Sequence, residues 1–266
     1  IFAALCRGVT DSGADVWDIG LATTPMVYFC TVHFKVDASV QITASHNPAI
    51  YNGLKISRTK AVPVGSDSGL KELERMVNEE AIIVSSTKGT IIEKDGKTPY
   101  LAFLQEFEED VLAAGQRLVK ELLGENHHYL YDHFDGTFPA HEPNPLDTEN
   151  CEDLKKAVIA NKSDIGVIFD GDADRVMFLD ERGRFLQPDY ITALLGHYYL
   201  AREKGRVLID IRTSRSTSNY LASLGGEVHT WKVGHAFAKN KLRELGAIFG
   251  GELAGHYYFR DFFNCD

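Results

Sequence analysis

The 266-residue chain is 44% hydrophobic and carries 28 Lys plus Arg against 38 Asp plus Glu, a formal charge of −10. That length supports a substantial core and about two to three domains, while the acidic balance, with no basic run to offset it, would repel a phosphate backbone and argues against nucleic acid. The widely spaced Cys6, Cys30, Cys151 and Cys265 form no CxxC pair, which suggests neither a zinc site nor a disulfide framework and makes a reducing cytoplasm the simplest setting.

In chain order, a helix is expected from Phe2 to Ser12, then a short strand in ADVWDIG, then a helix in TTPMVYFCTVHF, where Pro25 suits a first turn. SVQITAS reads as a strand, and DSGLKELERMVNEE (67 to 80) as an amphipathic helix. TPYLAFLQEFEEDVL (98 to 112) and RLVKELLG predict two further helices, and HHYLYDHFDGTFPAHEPNP (127 to 145) starts as a strand and turns into a proline-rich loop. CEDLKKAVIANK predicts a helix, DIGVIFD and VMFLD two strands flanking GDADR, and DYITALLGHYYLARE a helix. Strands RVLIDI and GEVHTWKV, the helix AFAKNKLREL and the strand AIFGGE complete the pattern. Strands alternating with helices predict an α/β architecture with largely parallel sheets and helices packed on them. No apolar run nears the roughly 18 residues of a membrane span, and no signal-peptide pattern opens the chain. No membrane partner is expected, and nothing in the sequence reports an oligomeric state. Ile1 is not a start methionine and FRDFFNCD ends without a terminating element, so the chain reads as a piece of a longer protein or as its ordered residues alone.

The most informative stretch is FDGDADRVMFLDE, which sets Asp170, Asp172 and Asp174 at alternate positions between two strands. Three carboxylates this close raise one another's pKa unless a cation or hydrogen bonds compensate. A hard divalent cation, Mg²⁺ or Ca²⁺, explains the cluster economically. An EF-hand is disfavoured because its sixth position needs glycine and here holds Arg175, between strands rather than helices. Two other readings stay open on local grounds: solvated aspartates at a hairpin tip, and Asp170 as a phosphatase nucleophile of the DxDx[TV] type, which Arg175 fits poorly. TASHNP (43 to 48) is similarly ambiguous. Adjacent extended residues point to opposite sides, so Ser45 and His46 need not pair, no G-x-S-x-G elbow is present, and Asn47-Pro48 initiates a turn that Ser45 can cap.

TASHNPAIYNGLKI (43 to 56), DGDADR (170 to 175) and GELAGH (251 to 256), in that order, with DGTFPAHEPNP and TWKVGHAFAK between them, resemble the α-D-phosphohexomutase superfamily, particularly its bacterial phosphomannomutase/phosphoglucomutase branch. The resemblance implies consecutive mixed-sheet α/β domains. It divides the chain at 1 to 98 with a phosphoserine loop, 99 to 203 with a metal loop, and 204 to 266 with a sugar loop. It implies an intramolecular phosphotransferase that interconverts hexose 1-phosphate and hexose 6-phosphate, of mannose or glucose, using phosphoserine at Ser45, Mg²⁺ and a hexose 1,6-bisphosphate intermediate. Asp170, Asp172 and Asp174, with an oxygen of Ser45, would ligate the metal. Lys55 would stabilise the phosphoryl group or take part in proton transfer, and His256 would serve in acid/base work. Arg175, Lys232, His235, Glu252 and His256 would hold the phosphosugar.

Departures from the pattern stand beside it. Ala173 replaces a glycine, where a positive φ would resist the side chain. Ala254 replaces a serine, and EDVLAAG is short for the strand and turn expected there. The family's N-terminal strand and fourth C-terminal domain, with its phosphate loop, have no counterpart in this sequence. The competing readings are an Asp170-nucleophile sugar phosphatase and a non-catalytic, metal-dependent sugar-phosphate binding module.

Overall fold

The computed structural model describes residues 1 to 105, 127 to 133 and 135 to 266. The chain opens with α1 (Phe2–Asp11), β1 (Val16–Asp18) and α2 (Thr24–His33). Pro25 occupies the first turn of α2, and the Thr23 side chain caps it by accepting from the Met26 N–H at 3.4 Å. Every residue of α2 from Thr24 to Thr31 is buried, which is why the helix is apolar all round. It is the central beam of the first third of the chain. Beside it β2 (Ala38–Ile42), β3 (Leu54–Arg58) and β4 (Val62–Pro63) form an antiparallel sheet that sets Lys55 opposite Gln41. After α3 (Lys71–Asn78), β5 (Ile91–Glu93) pairs parallel with β1, and α4 (Lys97–Gln105) packs Tyr100 and Leu104 against Met26, Phe29 and Cys30.

The next unit begins at α5 (Glu152–Asn161). Strands β6 (Ile165–Phe169) and β7 (Val176–Asp180) form an antiparallel hairpin with GDADR at its tip, and β8 (Phe185–Leu186) pairs with β7. Ile168, Met177 and Leu179 pack with Cys151 beneath the hairpin, so its tip stands on a rigid base. The last third contains α6 (Pro188–Arg202), β9 (Arg206–Asp210), α7 (Arg215–Ser223), β10 (Glu227–Trp231), α8 (His235–Leu245), β11 (Phe249–Gly251) and β12 (Tyr257–Phe259). Its sheet runs β10-β9-β11-β12, parallel until β12 joins antiparallel. Beyond β12 the chain turns back through Phe263 and Asn264, both left-handed, and bridges Phe259 to Cys265. All four cysteines are free and buried. Cys30 lies in the α2/α4 core, Cys151 under the β6/β7 hairpin, and Cys265 against Tyr28 and Ala61. No described helix is long and apolar enough to cross a membrane.

The α/β class and mixed sheets match expectation, but largely parallel sheets do not: β2-β3-β4 and β6-β7-β8 are wholly antiparallel. Loops of residues 43 to 53 and 170 to 175 join neighbouring antiparallel strands directly, without crossover helices. The helix expected from residue 67 becomes regular only at Lys71, because Gly69 sits at φ 127°. No strand forms among the described residues of 127 to 145; Tyr131 adopts φ 54°, which ends any pleated run there. The helix begun at Lys97 is described to Gln105, and RLVKELLG lies outside the described residues.

Candidate active site

Three loops from the three parts of the chain converge. The β6/β7 tip buries Asp170, Asp172 and Asp174, and one oxygen from each lies within 4.8 Å of the others. The tip is held by its own backbone: Asp170 N–H donates to the Arg175 carbonyl at 3.3 Å, and Ala173 N–H to the Asp170 carbonyl at 3.1 Å. Ala173 takes φ 58°, the left-handed conformation that glycine adopts without strain.

The serine loop sits directly against this tip. Ser45 Oγ donates to Asp170 Oδ2 at 3.2 Å and lies 3.4 Å from His46 Nδ1. Ser45 itself is left-handed, at φ 51°, with its N–H bonded to Thr43 Oγ1 at 2.8 Å. The approach demands glycine at 171, since a Cβ there would lie 2.5 Å from the Ser45 carbonyl oxygen. From β3, Lys55 Nζ reaches Asp172 Oδ2 at 2.6 Å and also pairs with Asp174. At the start of α2, the buried Thr24 donates from Oγ1 to Asp172 Oδ2 at 2.6 Å and from its N–H to the Asp172 carbonyl at 3.0 Å.

The electrostatics follow from burial. Desolvation, then the charges of Asp174 and Asp172, push Asp170 up to about 8. Asp174 is also penalised by burial, but His256 and Lys55 outweigh that and hold its carboxyl below the usual range. Burial opposes the Lys55 charge, and the Asp174 and Asp172 carboxylates more than offset it, so the ammonium is held charged. Oδ1 of Asp172 and Oδ1 of Asp174 are buried and accept no hydrogen bond from the described residues. Three convergent carboxylates with spare lone pairs make an all-oxygen donor set that fits a hard divalent cation such as Mg²⁺.

The last third supplies a buried wall. Val176 N–H donates to the Gly255 carbonyl at 3.1 Å, joining the carboxylate hairpin to the GELAGH loop. Gly255 is required there: it sits at φ 85°, and a Cβ would lie 2.4 Å from Met177 Cε. Arg175 Nε donates to His256 Nε2 at 3.2 Å and lies 3.7 Å from Asp170 Oδ2. Glu252 is buried, its Oε1 accepting the Gly234 N–H at 3.0 Å, and burial raises its pKa. His235 stacks on His256 with ring centroids 5.7 Å apart, and desolvation holds it neutral, with its pKa lowered to about 3. Lys232 is half exposed, with its Nζ 3.3 Å from Asp67 Oδ2 and over the Phe237 ring.

Of the residues singled out from sequence, Ser45, Lys55, Asp170, Asp172, Asp174, Arg175 and His256 are thus linked by direct contacts. Glu252 and His235 line the adjoining wall, and Lys232 stands on its rim. Sequence reasoning missed Thr24, hidden inside an ordinary helix start, and Asp210, whose Oδ2 accepts the Leu253 N–H at 2.8 Å and so fixes the GELAGH loop. It also missed Asp266, buried against His256, and Lys239, buried against Asp266.

Family models for the phosphoglucomutase/phosphomannomutase α/β/α domains I, II and III match residues 1–82, 111–183 and 187–266. The chain belongs to the phosphoglucomutase/phosphomannomutase family. Within that family, a phosphomannomutase of Escherichia coli strain K12 is 35% identical over 295 residues, covering 99% of this chain and 63% of the relative. Phosphohexose mutases of Xanthomonas campestris pv. campestris strain B100 are 37% identical over 279 residues, covering 99% and 62%. The crystal structure of a phosphoglucomutase/phosphomannomutase family protein from Burkholderia thailandensis superposes with a TM-score of 0.88 at 28% identity, covering 98% of this chain and 61% of that one. The chain therefore spans about 63% of the length of the curated relatives it matches.

Proposed function

We propose that this chain provides three domains of a phosphohexomutase that interconverts hexose 1-phosphate and hexose 6-phosphate, of mannose or glucose, through phosphoserine at Ser45 and a hexose 1,6-bisphosphate. The observation that carries the reading is the 3.2 Å contact between Ser45 Oγ and Asp170 in a buried three-carboxylate cluster. Family membership, with relatives named phosphomannomutase, supports it.

Asp170, Asp172 and Asp174 would hold Mg²⁺, which when bound neutralises charge on the transferring phosphoryl oxygens. In the first half of the cycle the free sugar hydroxyl attacks phosphorus, the bond from phosphorus to Ser45 Oγ breaks, and Oγ departs as an alkoxide beside Lys55. The hydroxyl proton passes to His256 Nε2, whose lone pair is released when Arg175 turns to a substrate phosphate. The bisphosphate then reorients, Ser45 takes the other phosphoryl group, and His256 returns the proton to the hydroxyl left behind. Lys55, held charged, stabilises the transferring group rather than moving a proton. Glu252, His235 and Lys232 are assigned to the sugar and its approach.

The test is conversion of mannose or glucose 1-phosphate into the 6-phosphate by the full-length protein with Mg²⁺. Ser45→Ala should abolish turnover, and wild-type activity in that variant would sink the reading. Trapping with a phosphate analogue separates the alternatives: label on Asp170 would favour a phosphatase, and saturable binding without turnover a binding module.

A further inference from the structure

The buried pair Lys239 and Asp266 lies outside the roles assigned above. Lys239, on α8, is fully buried with its Nζ 2.5 Å from Asp266 Oδ1 and 3.9 Å from the centre of the Tyr28 ring on α2. Asp266 Oδ2 lies 2.6 Å from His256 Nδ1, off the N–H axis, and the same nitrogen faces the Asp174 carbonyl oxygen at 3.0 Å. Burying two charges is costly, and apolar residues of similar volume in place of a buried ion pair are often neutral or stabilising. The pair therefore calls for a reason other than holding the fold.

The hydrogen-bond inventory supplies one. A carbonyl and a carboxylate can only accept, so His256 Nδ1 must carry the hydrogen; a guanidinium can only donate, so Nε2, facing Arg175 Nε, must offer its lone pair. The ring's orientation is fixed from both sides. His235 and Tyr258 stack against the ring, at centroid distances of 5.7 and 6.0 Å, and fix its plane. Arg175 in turn reaches the carboxylate cluster at Asp170.

We infer that Lys239 and Asp266 form a positioning pair that holds the His256 ring with its Nε2 toward Arg175 and the carboxylate cluster. Lys239 anchors the Asp266 carboxylate from α8, Asp266 holds the Nδ1 side of the His256 ring, and the ring thereby presents Nε2 to the site. The pair touches no reacting atom. This inference rests on the mutase reading for its kinetic consequence but not for its geometry, and the experiment keeps the two apart.

In the full-length protein, Asp266→Leu with Lys239→Met replaces both charges by apolar side chains and leaves no lone buried ion. Loss of such supporting partners commonly costs about 10- to 100-fold, so kcat is expected to fall by that factor with KM within about 3-fold. Asp266→Asn with Lys239→Met returns an acceptor toward Nδ1 and should recover most of the loss. Built into a His256→Ala background, the Leu/Met pair should cost less than about 3-fold more, because His256 is the group it acts through. In ¹⁵N-histidine spectra, His256 should show one sharp set of ring resonances, which broadens or splits in the Leu/Met variant as the ring loses its anchor. Wild-type kcat in that variant, a fully additive loss in the His256→Ala background, or unchanged His256 ring resonances would each overturn the inference. A wild-type protein without mutase activity would instead overturn the mutase reading, and the spectra would still decide the positioning.

Discussion

Substituting Gly171 by alanine tests whether serine and carboxylates act as one unit. The added methyl would lie 2.5 Å from the Ser45 carbonyl oxygen and 3.3 Å from Pro143 Cβ, against 3.4 Å for an ordinary contact. The obstacle on the serine side is backbone, so no side-chain rotation relieves it. The loops must part by about 0.9 Å, and a displacement near 1 Å commonly costs about 10²-fold in rate. Crowding of this kind costs about 1–3 kcal/mol of stability. The carboxylates themselves are untouched. Gly171→Ala in the full-length protein should therefore lose about 100-fold in mutase kcat while binding Mg²⁺ within about 3-fold of wild type by titration calorimetry. A folded variant with kcat within about 3-fold of wild type would refute the claim that this contact sets the reacting geometry.

Thr24→Val removes the hydroxyl that donates to Asp172, at a position with no access to water, and should lower stability by about 1.5–3 kcal/mol in urea unfolding. Ala173→Gly relieves a left-handed alanine and should raise stability by about 0.5 kcal/mol, the strain removed exceeding the added chain entropy; a loss on thermal unfolding would contradict it. The Asp170 carboxyl, raised from 3.8 to about 8, keeps a proton in the metal-free folded state that the unfolded chain has lost. Its contribution to stability is thus fully present below the unfolded value and is lost as pH rises from about 4 through about 8. Cation binding at pH 7 should accordingly release about one proton, read by calorimetry in buffers of different ionisation enthalpy, and release near zero would contradict the burial argument.

The carboxylate cluster was legible because its two flanking strands are strongly apolar and its spacing is local. Ser45 and Lys55 became legible only through resemblance, since nothing in TASHNP itself says that the turn abuts residues 125 positions away. Strand β3 went unread because LKISR is short and half polar, yet it delivers Lys55. Asp210, Lys239 and Asp266 look like ordinary residues of a strand end, a helix and a turn. Their roles come from long-range packing, which local periodicity does not encode. The parallel-sheet expectation failed for a related reason: β3, β4 and β8, the strands that make two of the sheets antiparallel, were not read from the sequence.

The distribution of the thiols has a practical use. Three of the cysteines fall in separate cores, Cys30 with Met26 and Phe29, Cys151 under the carboxylate hairpin, and Cys265 where the returning chain meets Tyr28. Burial pushes Cys30 up to about 12 and Cys151 up to about 11, so in the closed protein neither is a ready nucleophile. A thiol reagent followed residue by residue in a mass spectrometer would time the opening of each region of the chain independently. The unmodified sequence thus carries its own set of chemical clocks, and the order in which they run down would reveal which part of the three-loop assembly gives way first.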